Sequence, residues 1–242
     1  MPLIGGPVDW NLVDLVVFDL DGTLYDQNRL RARMLVEIGL EVIRSRSLQV
    51  PIVLREFRQT RETLGNQQAE DFANRQYVLT ADKCAQPEGR VRELVEKWIE
   101  KRPLDFIGAC GYSGVQQLFE ALRAANKLIA IFSDYPATAK LGALRLTADI
   151  VVCATDEDVG QLKPGPKGLH KILADTISAR TLMIGDRPDR DWEAAHRVGV
   201  RAFIRSRHAL PNVDTFRSYS DPMFQLLLQS HPTREPMDNH VF

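Results

Sequence analysis

Cysteine is scarce. Cys84, Cys110 and Cys153 are the three cysteines in 242 residues. An odd number at wide spacings offers no disulfide framework, no CxxC pair and no zinc cluster, so reduced thiols in a cytoplasmic protein are expected. Long apolar runs are missing too. The run at 128–132, LIAIF, is typical of what is present, whereas a membrane helix needs about 20 apolar residues. The first residues, MPLIGGPVDWNLVD, lack the basic segment and long apolar stretch of a secretory signal, so none is expected. No charge of one sign dominates. A net charge of −1 provides no field to attract nucleic acid or an anionic membrane, and neither is expected as a partner. No internal repeat or low-complexity segment interrupts the chain.

What is present is an ordinary globular composition, 44% hydrophobic and 26% charged, in a chain long enough to bury a core without covalent staples. Apolar runs of strand length recur: LVVF at 15–18, LIAIF at 128–132, DIVVC at 149–153, TLMIG at 181–185 and RAFI at 201–204. Runs this apolar suit strands buried on both faces, as in a parallel sheet. Between them lie helical patterns at 114–126, from Pro136 onward, at 168–177 and at 190–199, the last ending on Gly199. The alternation predicts an α/β, doubly wound, Rossmann-like domain.

One interval breaks the rhythm. About 90 residues after the first strand carry helical periodicity and no strand, too long for a loop. Leu30, Met34, Leu35, Ile38, Val42 and Ile43 form one apolar set, and Val91, Leu94, Val95, Trp98 and Ile99 another. Glycine is scarce there, and Pro51, Pro87 and Pro103 punctuate it. The expected organisation is a core from 1–25 and 106–210, an inserted helical cap at 26–105, and a C-terminal extension at 211–242 with a short helix at 224–229 and a mobile tail.

Four segments following predicted strands carry the chemistry, and in open α/β sheets such segments converge at the carboxyl ends of the strands. Asp19-Leu20-Asp21-Gly22-Thr23 places two carboxylates two residues apart. A divalent cation would relieve one and leave the other free for proton transfer, though Asp-Gly is also a common turn. Ser133-Asp134 could hold a phosphate oxygen or simply cap the next helix. Lys163, in Gln-Leu-Lys-Pro-Gly-Pro, could be a phosphate-binding point charge or a solvated lysine. Gly185-Asp186-Arg187-Pro188-Asp189-Arg190-Asp191 offers hard oxygens for a metal, although acids at 189 and 191 also suit a helix start.

Together and in this order the four segments resemble the motifs of the haloacid dehalogenase-like superfamily, and the helical insertion resembles its cap. The resemblance implies a magnesium-dependent phosphohydrolase acting on a small phosphorylated metabolite. Asp19 would be the nucleophile and form an aspartyl-phosphate, and Asp21 the general acid and base. Asp19, the Asp21 main-chain carbonyl and Asp186 would hold Mg²⁺. Thr23, Ser133 and Lys163 would bind the phosphoryl group, with Asp191, or else Asp189, supporting the metal shell or Lys163. Where the family often has Asn after its second-motif residue, this chain has Asp134, whose side chain is therefore expected to face away from phosphate. Asp21 argues against the dehalogenase branch, which needs no acid there. A phosphomutase of the same superfamily is the alternative. A phosphate-accepting signalling module is disfavoured by the insertion and by Asp21. No arginine of the insertion can be nominated for substrate from sequence, and His170 and His196 are expected to be structural.

Overall fold

The computed structural model describes residues 8–174 and 176–230. Six strands, β1 (Leu15–Phe18), β2 (Leu128–Ser133), β3 (Ile150–Cys153), β4 (Thr181–Gly185), β5 (Arg201–Arg205) and β6 (Asp214–Phe216), form one parallel sheet in the order β3-β2-β1-β4-β5-β6. This is a doubly wound order whose direction of winding reverses at β1, and ligands bind outside the strand ends at such a switch point. The register places Phe18 opposite Ile131 and Ile184. The residues following all three strands therefore emerge at one level.

Side chains alternate between the two faces of the sheet, as strand geometry requires. Val16, Phe18, Ile129, Ile131, Leu182 and Ile184 join one core, and Leu15, Val17, Ala130, Phe132 and Met183 the other. The connecting helices follow the chain. Those of the insertion are α1 (Gln27–Ser45), α2 (Gln49–Asn66), α3 (Phe72–Cys84), α4 (Glu88–Val95), which runs on as a π-turn to Lys101, and the short α5 (Leu104–Ile107). Then come α6 (Val115–Ala124), α7 (Thr138–Leu144), α8 (Lys167–Ile172), α9 (Glu193–Arg197) and α10 (Pro222–Ser230). Gly199 ends α9 at φ +71°, a left-handed conformation that suits glycine. Among the described residues no helix is long and apolar enough to cross a membrane.

The insertion leaves and rejoins the core at one place. The Asp26 amide donates to the Cys110 carbonyl at 2.9 Å and the Tyr112 amide to that of Leu24 at 3.1 Å. Pro51 lies in the first turn of α2, and Pro87 and Pro103 directly precede α4 and α5. Leu30, Met34 and Ile38 form the buried stripe of α1, and Val91, Leu94, Val95 and Trp98 that of the fourth helix and its π-turn. Two members of the expected apolar set differ. Leu35 and Ile43 are exposed, at 70% and 75%, because the buried stripe repeats every fourth residue and they lie off it.

The C-terminal segment also departs from expectation. Its first part belongs to the core and not to an extension. β6 pairs with β5, and Phe216, Tyr219, Phe224 and Leu227 are buried. Phe216 meets Phe224 edge-on at 5.2 Å, Trp10 Nε1 donates to the Met223 carbonyl at 2.8 Å, and the Tyr219 hydroxyl donates to the Thr23 carbonyl at 2.7 Å. The last contact braces the turn that follows β1. The expected helix at 224–229 is within α10, while the tail from 231 onward lies outside the described residues.

Candidate active site

Asp19 emerges from β1 almost completely buried, and its amide continues the ladder by donating to the Ile184 carbonyl at 2.8 Å. The chain must then turn sharply. Gly22 does so at φ +103°, and a β-carbon there would stand 2.2 Å from Asp186 Oδ2. Glycine thus serves both the backbone conformation and the approach of a carboxylate. At the end of β4 a β-carbon on Gly185 would meet Asp191 Cβ at 2.4 Å, so this glycine lets Asp191 fold back against the strand.

Lys163 holds these acids together. It is 2% exposed, and its ammonium contacts Asp19 Oδ1 and donates to Asp191 Oδ1 at 2.7 Å and to the Phe132 carbonyl at 3.2 Å. The other Asp191 oxygen accepts the amides of Asp186 and Arg187 at 3.0 and 2.9 Å. Asp189 lies apart, exposed and ion-paired with Arg187 at 2.7 Å. Of the two acids the sequence offered, Asp191 is the one at the site. The Asp134 carboxylate accepts the Lys163 amide at 3.0 Å, so it is directed at that loop.

Thr23 and Ser133, expected to bind the phosphoryl group, make contacts that position their neighbours. Both are fully buried, and neither lines the cleft. The Thr23 hydroxyl donates to Asp19 Oδ2 at 2.9 Å, and Ser133 Oγ accepts the Tyr135 amide at 3.2 Å. Lys140 and Tyr25 are two functional neighbours that no motif singled out. Lys140, 7% exposed on α7, grips both Asp21 oxygens at 2.6 and 2.7 Å, and the Tyr25 hydroxyl donates to the same carboxylate. A signal was available: Lys140 sits on the stripe Ala137, Leu141, Leu144, which is buried, and a lysine on a core-facing stripe needs a partner.

The electrostatics separate the acids. Burial alone would raise the Asp21 carboxyl, but Lys140 and the hydrogen bonds from Lys140 and Tyr25 hold it below the usual range. Burial raises Asp19, and the charges of Asp191 and Asp186 add to it against the opposing Lys163. Asp186 is pushed up to about 7 by burial and then by the charge of Asp191. Among the described residues no hydrogen bond or ion pair reaches the Asp186 side chain. Oxygens of Asp19, Asp186 and Asp191 lie within 4.8 Å of one another. A largely buried carboxylate without a partner, beside two others, fits a hard divalent cation.

These groups open into a cleft of about 1160 Å³ whose far wall is formed by the insertion. That wall is tied to the site by Arg190, which is 4% exposed. It donates to the Lys163 carbonyl and to Asn66 Oδ1, both at 2.6 Å, and to Glu62 Oε2 at 2.7 Å. His196 stacks on Trp192 at 4.7 Å, away from the cleft lining.

Comparisons with known proteins agree with this architecture. A 2-haloacid dehalogenase from Pseudomonas syringae is 19% identical, with 90% of this chain and 99% of that one covered at a TM-score of 0.59. The putative HAD-hydrolase YfnB from Bacillus subtilis bound to magnesium is 14% identical, with 90% and 98% covered at 0.62. CbbY from Rhodobacter sphaeroides in complex with phosphate is 16% identical, with 86% and 96% covered at 0.55. At such identities the likeness is one of fold. No curated protein matches the chain. A family model, haloacid dehalogenase-like hydrolase, matches residues 13–199. That span runs from just before β1 to the end of α9 and contains all four segments with their acids, hydroxyl and lysine, and the chain accordingly belongs to the haloacid dehalogenase-like hydrolase family.

Proposed function

We propose that this hydrolase is a magnesium-dependent phosphatase of a small phosphorylated metabolite, working through an aspartyl-phosphate on Asp19. The observation that carries the reading is Asp21, a second carboxylate in the cleft two residues from the nucleophile. Breaking a phosphate ester requires a proton for the departing alkoxide, and displacing a halide does not. In the first step an Asp19 oxygen attacks phosphorus, the phosphorus–oxygen ester bond breaks, and Asp21 gives its proton to the leaving oxygen. In the second, water attacks phosphorus, Asp21 takes a water proton, and the bond to Asp19 breaks to release phosphate. An anionic substrate beside Lys140 weakens that lysine's hold on Asp21 and raises the carboxyl's proton affinity, the direction acid catalysis needs.

Asp19, the Asp21 main-chain carbonyl and Asp186 would hold Mg²⁺, which when bound shields the nucleophile from the incoming anion and offsets transition-state charge. Lys163 keeps Asp19 oriented and faces the phosphoryl group with a fixed cation. Asp191 in turn fixes Lys163.

The direct test is phosphate release from sugar phosphates, nucleotides, phosphoglycolate and cofactor phosphates, with and without Mg²⁺. Release that depends on Mg²⁺ is expected. Chloride release from 2-chloropropionate with every ester left intact would overturn the reading. Asp21→Asn refines it. With p-nitrophenyl phosphate, whose leaving group needs no proton, the variant should still form the aspartyl-enzyme and then hydrolyse it slowly. With alkyl phosphates it should lose nearly all turnover. Full rates on alkyl phosphates would remove Asp21 from the acid–base role.

A pH-dependent metal effect follows from Asp186. Its folded value of about 7 stands above the ordinary 3.8, so without metal the folded state binds a proton that the unfolded state has released. Metal-free protein therefore loses this contribution to stability as pH rises from roughly 4 to 7. Mg²⁺ must displace that proton at low pH and not at high pH. The rise in Tm on adding Mg²⁺ should be greater at about pH 8 than at about pH 5.5. An equal rise at both, measured by thermal melts, would count against Asp186 as a ligand.

A further inference from the structure

The helical wall of the cleft carries positive charge that no acid balances. Arg31 of α1, Arg58 and Arg61 of α2 and Lys83 of α3 all line it. Among the described residues none of the four forms a salt bridge. Arg61 is the telling case, at 5% exposed. It donates to neutral acceptors, Gln76 Oε1 and the Asp134 carbonyl, and its Nε has no hydrogen-bond partner. Its guanidinium lies 5.0 Å from the Phe72 ring centre and 4.1 Å from that of Tyr135. Lys83 likewise donates to a neutral group, Thr60 Oγ1, at 3.2 Å. The cleft's acids are occupied elsewhere: Asp19 and Asp191 with Lys163, Asp21 with Lys140, Glu62 with Arg187 and Arg190, and the Asp134 carboxylate with the Lys163 amide. Asp186 belongs to the cation site. Burying a charge without a counter-charge is costly, and Arg61 bears that cost, while Arg31, Arg58 and Lys83 are exposed beside it.

The position of this wall identifies what it faces. The Tyr135 ring is shared by Arg61 and the Lys140 ammonium, the latter 5.1 Å from its centre, and Lys140 grips Asp21. Arg58 and Arg31 line the same wall from α2 and α1. Arg61 is thus linked through Tyr135 and Lys140 to Asp21, where the alcohol departs, with Arg31 and Arg58 lining the same cleft, while the phosphoryl group lies toward Lys163 and Asp19. We propose that Arg31, Arg58 and Arg61 form a subsite for a second anionic group, a carboxylate or a phosphate, carried on the leaving alcohol of the substrate. This rests on the phosphatase reading and narrows its substrate class to phosphate esters of acidic alcohols.

The test uses matched pairs of esters with the full-length enzyme: 3-phosphoglycerate against glycerol 3-phosphate, and fructose 1,6-bisphosphate against fructose 6-phosphate. The acidic member of at least one pair should have a kcat/KM higher by about tenfold or more, the worth of a charge-assisted hydrogen bond. The pair that shows the preference names the anion. Arg58→Gln, at a solvent-exposed side chain, should reduce that preference by about tenfold, mainly through KM, and Arg58→Lys should restore part of it. Equal kcat/KM within both pairs, or a preference that Arg58→Gln leaves intact, overturns the subsite while phosphate release from the neutral esters preserves the phosphatase reading. No release from any ester overturns both.

Discussion

Asp19→Asn is expected to yield a folded protein that has lost phosphate release by several orders of magnitude. The catalytic half rests on chemistry. A carboxylate attacks phosphorus and leaves again as a stable anion, whereas an amide oxygen is a poor nucleophile and gives no aspartyl-phosphate. The folding half rests on the surroundings. Burial works against the ionised form of Asp19, so an amide of the same shape removes a strained charge. It can still accept from the Thr23 hydroxyl, while Lys163 keeps Asp191 as its counter-ion. Thermal melts should therefore show little change. Quenched wild-type enzyme should carry phosphoryl mass on the peptide containing Asp19, and the variant should not. Substantial turnover by a well-folded variant would move the nucleophile elsewhere.

The parts of this site legible in sequence are those where one residue type answers one local demand. β1, β2 and β4 are buried on both faces, so their apolar runs are uninterrupted and the acids that end them stand out. Gly22 and Gly185 make room for carboxylates, and glycine beside aspartate is visible in any reading. What escaped depends on tertiary placement. β6 has only three residues, too few to show a period, and its partners Tyr219 and Phe224 come from a polar stretch. Tyr25 and Lys140 are 115 positions apart in the chain and meet only at Asp21. Arg58 and Arg61 read as one solvated helix face among many arginines. Their exposure to the cleft is decided by how α2 docks over the sheet through Glu62 and Arg190, which periodicity does not report.

Lys163→Met should be the most damaging change to stability at the site, and its pH dependence should show why. The ammonium is 2% exposed between Asp19 and Asp191, which are themselves buried. Methionine fills the space but leaves two carboxylates without their counter-ion, and breaking a buried pair from one side costs about 3–5 kcal/mol. For a chain of this size that is a fall in Tm on the order of 10 °C. The Asp19 carboxyl, already raised by burial, is raised further in the variant once the opposing Lys163 is gone. Protonation of Asp19 relieves it at low pH, so the deficit relative to wild type should be smaller near pH 5 than near pH 8. Combining Lys163→Met with Asp19→Asn removes one of the stranded charges and should recover part of the lost stability, a coupling that two independent sites would not show. If the double variant melts at the temperature expected from adding the two single effects, Lys163 and Asp19 do not act as a pair, and the cation that faces the phosphoryl group must be sought elsewhere in the cleft.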